Sequence, residues 1–260
     1  MNNCRTWGNA PFAVAVIHGG PGAAGEMAAV AREISLSQGV IEPFQTEQTV
    51  TGQVRELKKV LTDQGDLPVT LIGHSWGAIL SFIVTAKNPA LVKKLILVSS
   101  GVFDDAYAAG IMNTRLNRLS QEDRVVLETL ATKLNDPKNR DKNRIFAEIG
   151  TVIDTADTWD PLLHASEGVE YRYDIYENVW KQAQVMRTSG ELVALGTHIH
   201  CPVVAIHGDY DPHPADGVQV PLSRVIKNFR FILLENCGHR PWLERSAKSR
   251  FYEILNEELD

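Results

Sequence analysis

The chain has 260 residues, with 26 Lys and Arg against 32 Asp and Glu, a net charge of −6 and a hydrophobic share of 44%. Such a length suits one large α/β domain with an insertion, and it buries enough apolar surface to need no metal or disulfide staple. An acidic balance without a dense Lys/Arg tract excludes nucleic acid and anionic membrane as expected partners.

Three cysteines, Cys4, Cys201 and Cys237, are an odd number without CxxC spacing. This argues against a disulfide scaffold or a zinc knuckle and fits a reducing compartment. No long apolar stretch reads as a signal peptide, and the apolar run at 78–86 contains Ser81 and is too short to span a bilayer. The expectation is a soluble cytoplasmic protein.

Residues 12–17 (FAVAVI) form the first apolar, β-branched run. His18-Gly19-Gly20-Pro21-Gly22 follows at once, and its glycines let backbone approach a ligand closely while Pro21 stiffens the turn. A Walker loop would need Gly-Lys-Ser/Thr, which is absent, so phosphate binding is disfavoured. A helical pattern occupies 49–64, and a second strand pattern occupies 67–72. Gly73-His74-Ser75-Trp76-Gly77 then matches G-x-S-x-G between a strand and the helix predicted over 77–87. In that context the motif is a tight elbow that exposes the Ser75 hydroxyl above the strand ends.

A third apolar run lies at 95–98. From 102 to 190 the strand rhythm stops. Ser120-Gln121-Glu122-Asp123 reads as a capping box ahead of Val126, Leu127, Leu130 and Leu134, and Asp136-Pro137 ends that helix. Ile145, Ile149 and Ile153 mark a second helix, and Tyr173, Tyr176, Trp180 and Ala183 a third, whose aromatic stripe reads as packing. Residues 102–190 are therefore expected to be a helical cap inserted into a core of 1–101 and 191–260. Strand patterns at 203–206 and 229–234, with helices at 214–227 and 242–259, complete a doubly wound, mostly parallel α/β fold.

His207-Gly208-Asp209-Tyr210-Asp211 and Cys237-Gly238-His239 each follow a strand, where sites form in open α/β sheets. The order Ser75, Asp211, His239 is that of an α/β-hydrolase triad and of neither trypsin-like nor subtilisin-like enzymes. With HGGPG at 18–22 and G-x-S-W-G at 73–77, the chain resembles the α/β-hydrolase superfamily, closest to its proline iminopeptidase-like branch. The resemblance implies Asp211 as the acid, three after Gly208, and His239 as the base. It also implies acidic cap residues that hold a substrate amino group; Asp160, Glu167 and Glu170 are available, and no motif singles one out.

Two departures bear on the pocket. About 11 residues precede the first predicted strand, so the usual opening strands look shortened, and Val40-Ile41-Glu42-Pro43-Phe44-Gln45-Thr46 stands where D-x-R-G-x-G-x-S is usual. A short amino-terminal sheet edge is one that a homodimer would cover.

Rival residues have plainer roles. His18 and His74 read as structural or pocket-lining, His207 as a hydrogen-bond partner of the acid turn, and Asp209 as a cap for its own turn. His198-Ile199-His200-Cys201 lacks the partner set of a metal site. No cofactor or metal is expected. The function expected is serine hydrolysis of a small ester, amide or short-peptide substrate through an acyl-enzyme. The amides of Gly20 and Trp76 would form the oxyanion hole. An aminopeptidase of the proline iminopeptidase type is the specific version, and a broad carboxylesterase the general one. A non-hydrolytic lyase or a ligand-binding member of the fold stands as the alternative.

Overall fold

Alternating apolar residues send their side chains to opposite faces of a strand, so a run apolar at every position needs cover on both sides. In the computed structural model, which describes residues 3–162 and 168–260, that cover comes from two helical layers. The strands in chain order are β1 (Cys4–Trp7), β2 (Val14–Ile17), β3 (Ala23–Ala24), β4 (Val40–Pro43), β5 (Val69–His74), β6 (Val92–Val98), β7 (Glu170–Tyr171), β8 (Val203–Gly208) and β9 (Phe229–Leu234). The helices of the first half are α1 (Ala28–Ile34), α2 (Val50–Gln64), α3 (Trp76–Lys87), α4 (Ile111–Arg118) and α5 (Gln121–Asn135). Those of the second half are α6 (Lys142–Asp157), α7 (Tyr173–Thr188), α8 (Glu191–Ala194), α9 (Asp216–Val225) and α10 (Lys248–Leu259).

Seven strands join in the order β1-β4-β2-β5-β6-β8-β9. All neighbours are parallel except β1, which runs antiparallel to β4. Ala15, Ile17, Leu71, Leu95 and Leu97 pack with α2, α3 and α9 on one face. Val14, Val16, Ile72, Ile96 and Val98 pack with α1 and α10 on the other. The sheet is thus doubly wound, as the runs predict.

Several elements differ from the sequence expectation. β1 lies where no strand is predicted, and β4 occupies 40–43, where the sequence shows only an unusual segment. The reason is Glu42, which is fully buried in β4 and accepts from Arg5 Nε at 2.9 Å and Trp7 Nε1 at 2.8 Å, both on β1. A charged residue inside a strand, paid for by partners from a polar edge strand, has no apolar signature. Helices α1 and α4 are also additional. The final helix begins at Lys248, after a separate 3-10 turn at Pro241–Leu243.

The segment between β6 and β8 is largely helical. Ser120 caps α5 by accepting the Asp123 amide at 3.0 Å, and α5 ends at Asn135. α5 buries only Leu130, whereas α7 inserts Ile175, Val179, Ala183 and Met186 into the core that holds α2 and α3. A two-stranded ribbon pairs Ala23 with Tyr171 and Ala24 with Glu170, and so ties this segment to the loop after β2. Among the described residues no helix is long and apolar enough to cross a membrane.

Candidate active site

β5 delivers Ser75 into the first turn of α3 with φ 52° and ψ −115°, a left-handed backbone that side chains rarely adopt. Its flanking glycines answer to close backbone approach. A Cβ on Gly73 would strike the carbonyl oxygen of Gly77, and one on Gly77 would strike those of Ile17 and His18. The Ser75 amide donates to the Val98 carbonyl at 3.0 Å, while its half-buried hydroxyl has no hydrogen-bond partner among the described residues.

β8 and β9 end side by side and carry the acid and the imidazole. Nδ1–H of His239 donates to Oδ2 of Asp211 at 2.7 Å, and the Asp211 carboxylate is completely buried. Burial alone would raise its pKa. The imidazoles of His239, His213 and His207 outweigh that and hold it well below the usual carboxylate range. Burial lowers His239 to about 4; Asp211 opposes this, and His213 and His74 push further down. Asp209 instead accepts the Cys237 amide at 3.1 Å and so braces the loop before His239. Gly208 is needed here, because a Cβ would meet the carbonyl oxygens of Cys237 and Gly238.

Among the described residues the amides of Gly20 and Trp76 donate to no loop carbonyl. Trp76 opens α3, where an amide lacks an intrahelical acceptor. Gly20 has φ 33° in a turn closed by the Ala23 amide donating to its carbonyl at 3.0 Å. His18 is buried, donates from Nδ1 to the Gly19 carbonyl and accepts the Gln45 amide on Nε2, a structural role. His74 packs between the His239 ring, at 4.8 Å, and the edge of Trp242, at 4.7 Å.

The helical segment reaches this centre directly. The His239 amide donates to the Asp157 carbonyl at 2.8 Å, and Arg115 holds the Asp157 carboxylate with two hydrogen bonds of 2.8 and 2.6 Å. Glu244, fully buried, accepts the amides of Gly238, Trp159 and Asp160 at 2.8–2.9 Å. A cavity of about 730 Å³ opens beside these contacts, walled by Glu26, Asp154, Tyr171, Arg240 and Trp242; Ser75 and His239 are not in its wall. Of the acidic residues available for an amino group, Asp160 pairs with Arg245 at 3.4 Å, Glu170 is exposed on β7, and Glu167 lies outside the described residues.

Among the described residues one cluster has metal-ligand composition, Asp211 with His213 and His239. Both nitrogens sit 2.7–2.8 Å from carboxylate oxygens, the spacing of N–H···O hydrogen bonds. His198 and His200 are both exposed and belong to no such cluster.

Comparison with known proteins follows the same lines. The alpha/beta hydrolase family matches residues 16–249. The chain belongs to the α/β hydrolase family. A proline iminopeptidase from Lactobacillus delbrueckii subsp. lactis is 24% identical, covering 98% of this chain and 93% of the relative. The fold is also that of a Mycobacterium smegmatis proline iminopeptidase, with a TM-score of 0.64 and 19% identity over 98% of this chain and 93% of that one. Est816, described as an N-acyl homoserine lactone degrading enzyme, superposes with a TM-score of 0.65 and 14% identity over 98% and 95%.

Within this α/β hydrolase, two residues that sequence reasoning missed adjoin the predicted ones. His213 donates to Oδ1 of Asp211 from both its amide, at 2.9 Å, and its ring Nδ1, at 2.8 Å. Glu26 accepts from the Gly19 amide at 2.8 Å and stands 3.1 Å from Nδ1 of His74. Asp-Pro-His-Pro was a signal available for the first, since a histidine two places after a turn aspartate can fold back on it. No motif marks Glu26.

Proposed function

We propose that this α/β hydrolase is a serine hydrolase that opens an ester or amide bond of a small substrate by two-step acyl transfer. Ser75 is the nucleophile, His239 the general base and Asp211 the acid that orients it. The observation that carries this reading is the 2.7 Å hydrogen bond from His239 Nδ1 to the buried Asp211 carboxylate. A carboxylate accepts only, so the hydrogen lies on Nδ1, and Nε2 keeps the lone pair that a base needs.

Nε2 takes the Ser75 proton as the hydroxyl attacks the carbonyl carbon, and Asp211 stabilises the imidazolium that forms. No hydrogen bond joins the Ser75 hydroxyl to the imidazole among the described residues, and catalytic contacts of this kind commonly tighten only around a substrate. The amides of Gly20 and Trp76 hold the oxyanion; losing one such donor costs about 3 kcal/mol of transition-state stabilisation. His239 then protonates the leaving group, and water releases the acyl chain by the same route. The helical segment from 102 to 190 acts as a cap that screens the reacting atoms from bulk water. Relatives named proline iminopeptidase span 98% of this chain and support an amide at the amino terminus of a short peptide as the bond cleaved.

A fluorophosphonate probe tests the chemistry. Wild-type protein labels at one site, and Ser75→Ala loses both label and hydrolysis. Folded wild-type protein that stays unlabelled would identify a binding member of the fold instead. Aminoacyl amides run against p-nitrophenyl esters then separate peptidase from esterase.

A further inference from the structure

Glu26 takes no part in the acyl-transfer steps, yet its carboxylate reaches the loops that carry them. Oε2 accepts the Gly19 amide at 2.8 Å and lies 3.1 Å from Nδ1 of His74. The other nitrogen of that ring, Nε2, lies 3.0 Å from the carbonyl oxygen of His239. Gly19 precedes Gly20, His74 precedes Ser75, and His239 is the proposed base. One carboxylate and one imidazole therefore connect the oxyanion turn, the elbow and the histidine loop, which come from three separate strand ends.

We propose that Glu26 is a positioning residue which, through His74, holds the oxyanion turn, the nucleophile and the base in mutual register. The inference rests on the serine-hydrolase reading above.

Three observations support it. Both ring nitrogens of His74 lie within hydrogen-bond reach of an oxygen, Nδ1 of Glu26 Oε2 and Nε2 of the His239 carbonyl, so a single ring spans the two loops. The ring has no room to turn away, being packed between the rings of His239 and Trp242. The Gly19 contact also leaves no space for a side chain: a Cβ there would lie 2.6 Å from both Glu26 Oε2 and His74 Nδ1. The electrostatics agree. Burial would raise the Glu26 pKa, but the charge and hydrogen bond of His74, then Arg240 and His239, bring it down to about 2. Removing either side chain breaks the contacts that join these loops.

Steady-state kinetics on Glu26→Leu, Glu26→Gln, His74→Gln and the double variant E26L/H74Q test this, with p-nitrophenyl acetate as substrate. Phosphonate labelling rate and melting temperature are read in parallel. For E26L we expect kcat to fall roughly 10- to 100-fold with KM nearly unchanged, since displacing reacting groups by about 1 Å costs that much. Phosphonate labelling should slow by the same factor. E26Q keeps an oxygen for the Gly19 amide but loses the charge, and should fall between E26L and wild type. The E26L and H74Q losses should not add in the double variant, because either change cuts the same link. A folded E26L or E26Q with wild-type kcat overturns the proposal, and so do additive losses. If E26L does not fold, the kcat of E26Q decides. Wild-type protein that neither labels nor hydrolyses removes the serine-hydrolase reading itself, which is a separate result.

Discussion

The carboxylate of Asp211 accepts on both oxygens, from the His239 ring on one and from the amide and ring of His213 on the other. A hydrogen bond to a charged group is worth about 1.5–3 kcal/mol, so replacing His213 by valine should cost roughly 10- to 100-fold in kcat/KM. His213→Asn, whose amide nitrogen sits near the position of Nδ1, should recover most of that loss; equal activity in the two variants would refute the orienting role. The pH dependence belongs to His239. In the proposed mechanism only its neutral form accepts the serine proton, and burial lowers its pKa to about 4. Activity should therefore stay level as pH falls through 6.5, the ordinary histidine value, and decline with a midpoint near 4. A kcat/KM profile with its acid limb at the ordinary value would show that burial does not control this imidazole. The turns that carry Asp211 and His239 were legible in the sequence because each follows an apolar run, whereas the choice of Asp211 over Asp209 came from the family resemblance. Glu26 was not legible, since its contacts are with a backbone amide and a ring distant in sequence, and neither leaves a pattern.

Elements meet at this centre through glycines, and each has its own expected failure. Gly73 is enclosed by the backbone of Gly77 and Ala78, which cannot rotate aside. Overpacking of this kind costs about 1–3 kcal/mol, so Gly73→Ala should lower the melting temperature by roughly 2–6 °C. At Gly208 the obstructing atoms are the carbonyls of the loop before His239. Gly208→Ala should therefore move the imidazole and depress kcat by a larger factor than its stability loss would suggest, which paired calorimetry and kinetics would reveal. The strands β2, β5, β6, β8 and β9 were legible as apolar runs, whereas β1 and β4 were hidden because Glu42, Arg5 and Trp7 make a buried polar cluster there. Helix α4 presents no buried face to read, with Met112 about half exposed.

Across the whole molecule, the helical segment is fastened to the histidine loop at several points. Glu244 gathers three amides from both sides, and Arg118 donates to the carbonyls of Ala156 and Tyr210 at 3.0 and 2.7 Å. Glu244→Gln puts an NH₂ against at least one of those amides, and at about 1.5–3 kcal/mol for a lost charged hydrogen bond should cost roughly 5 °C in melting temperature. Hydrogen exchange should then speed at Trp159 and Asp160; unchanged exchange there would mean the fastening is not made by Glu244. The sequence announced α5, α6 and α7 of this segment but neither α4 nor the anchorage, because a side chain bonded to backbone groups far along the chain leaves no local pattern. The amide of His239 is itself one of those anchor points, on Asp157. An outward swing of the helices would strain that bond, so in the proposed hydrolase a wide opening of the segment and a firmly held imidazole work against each other.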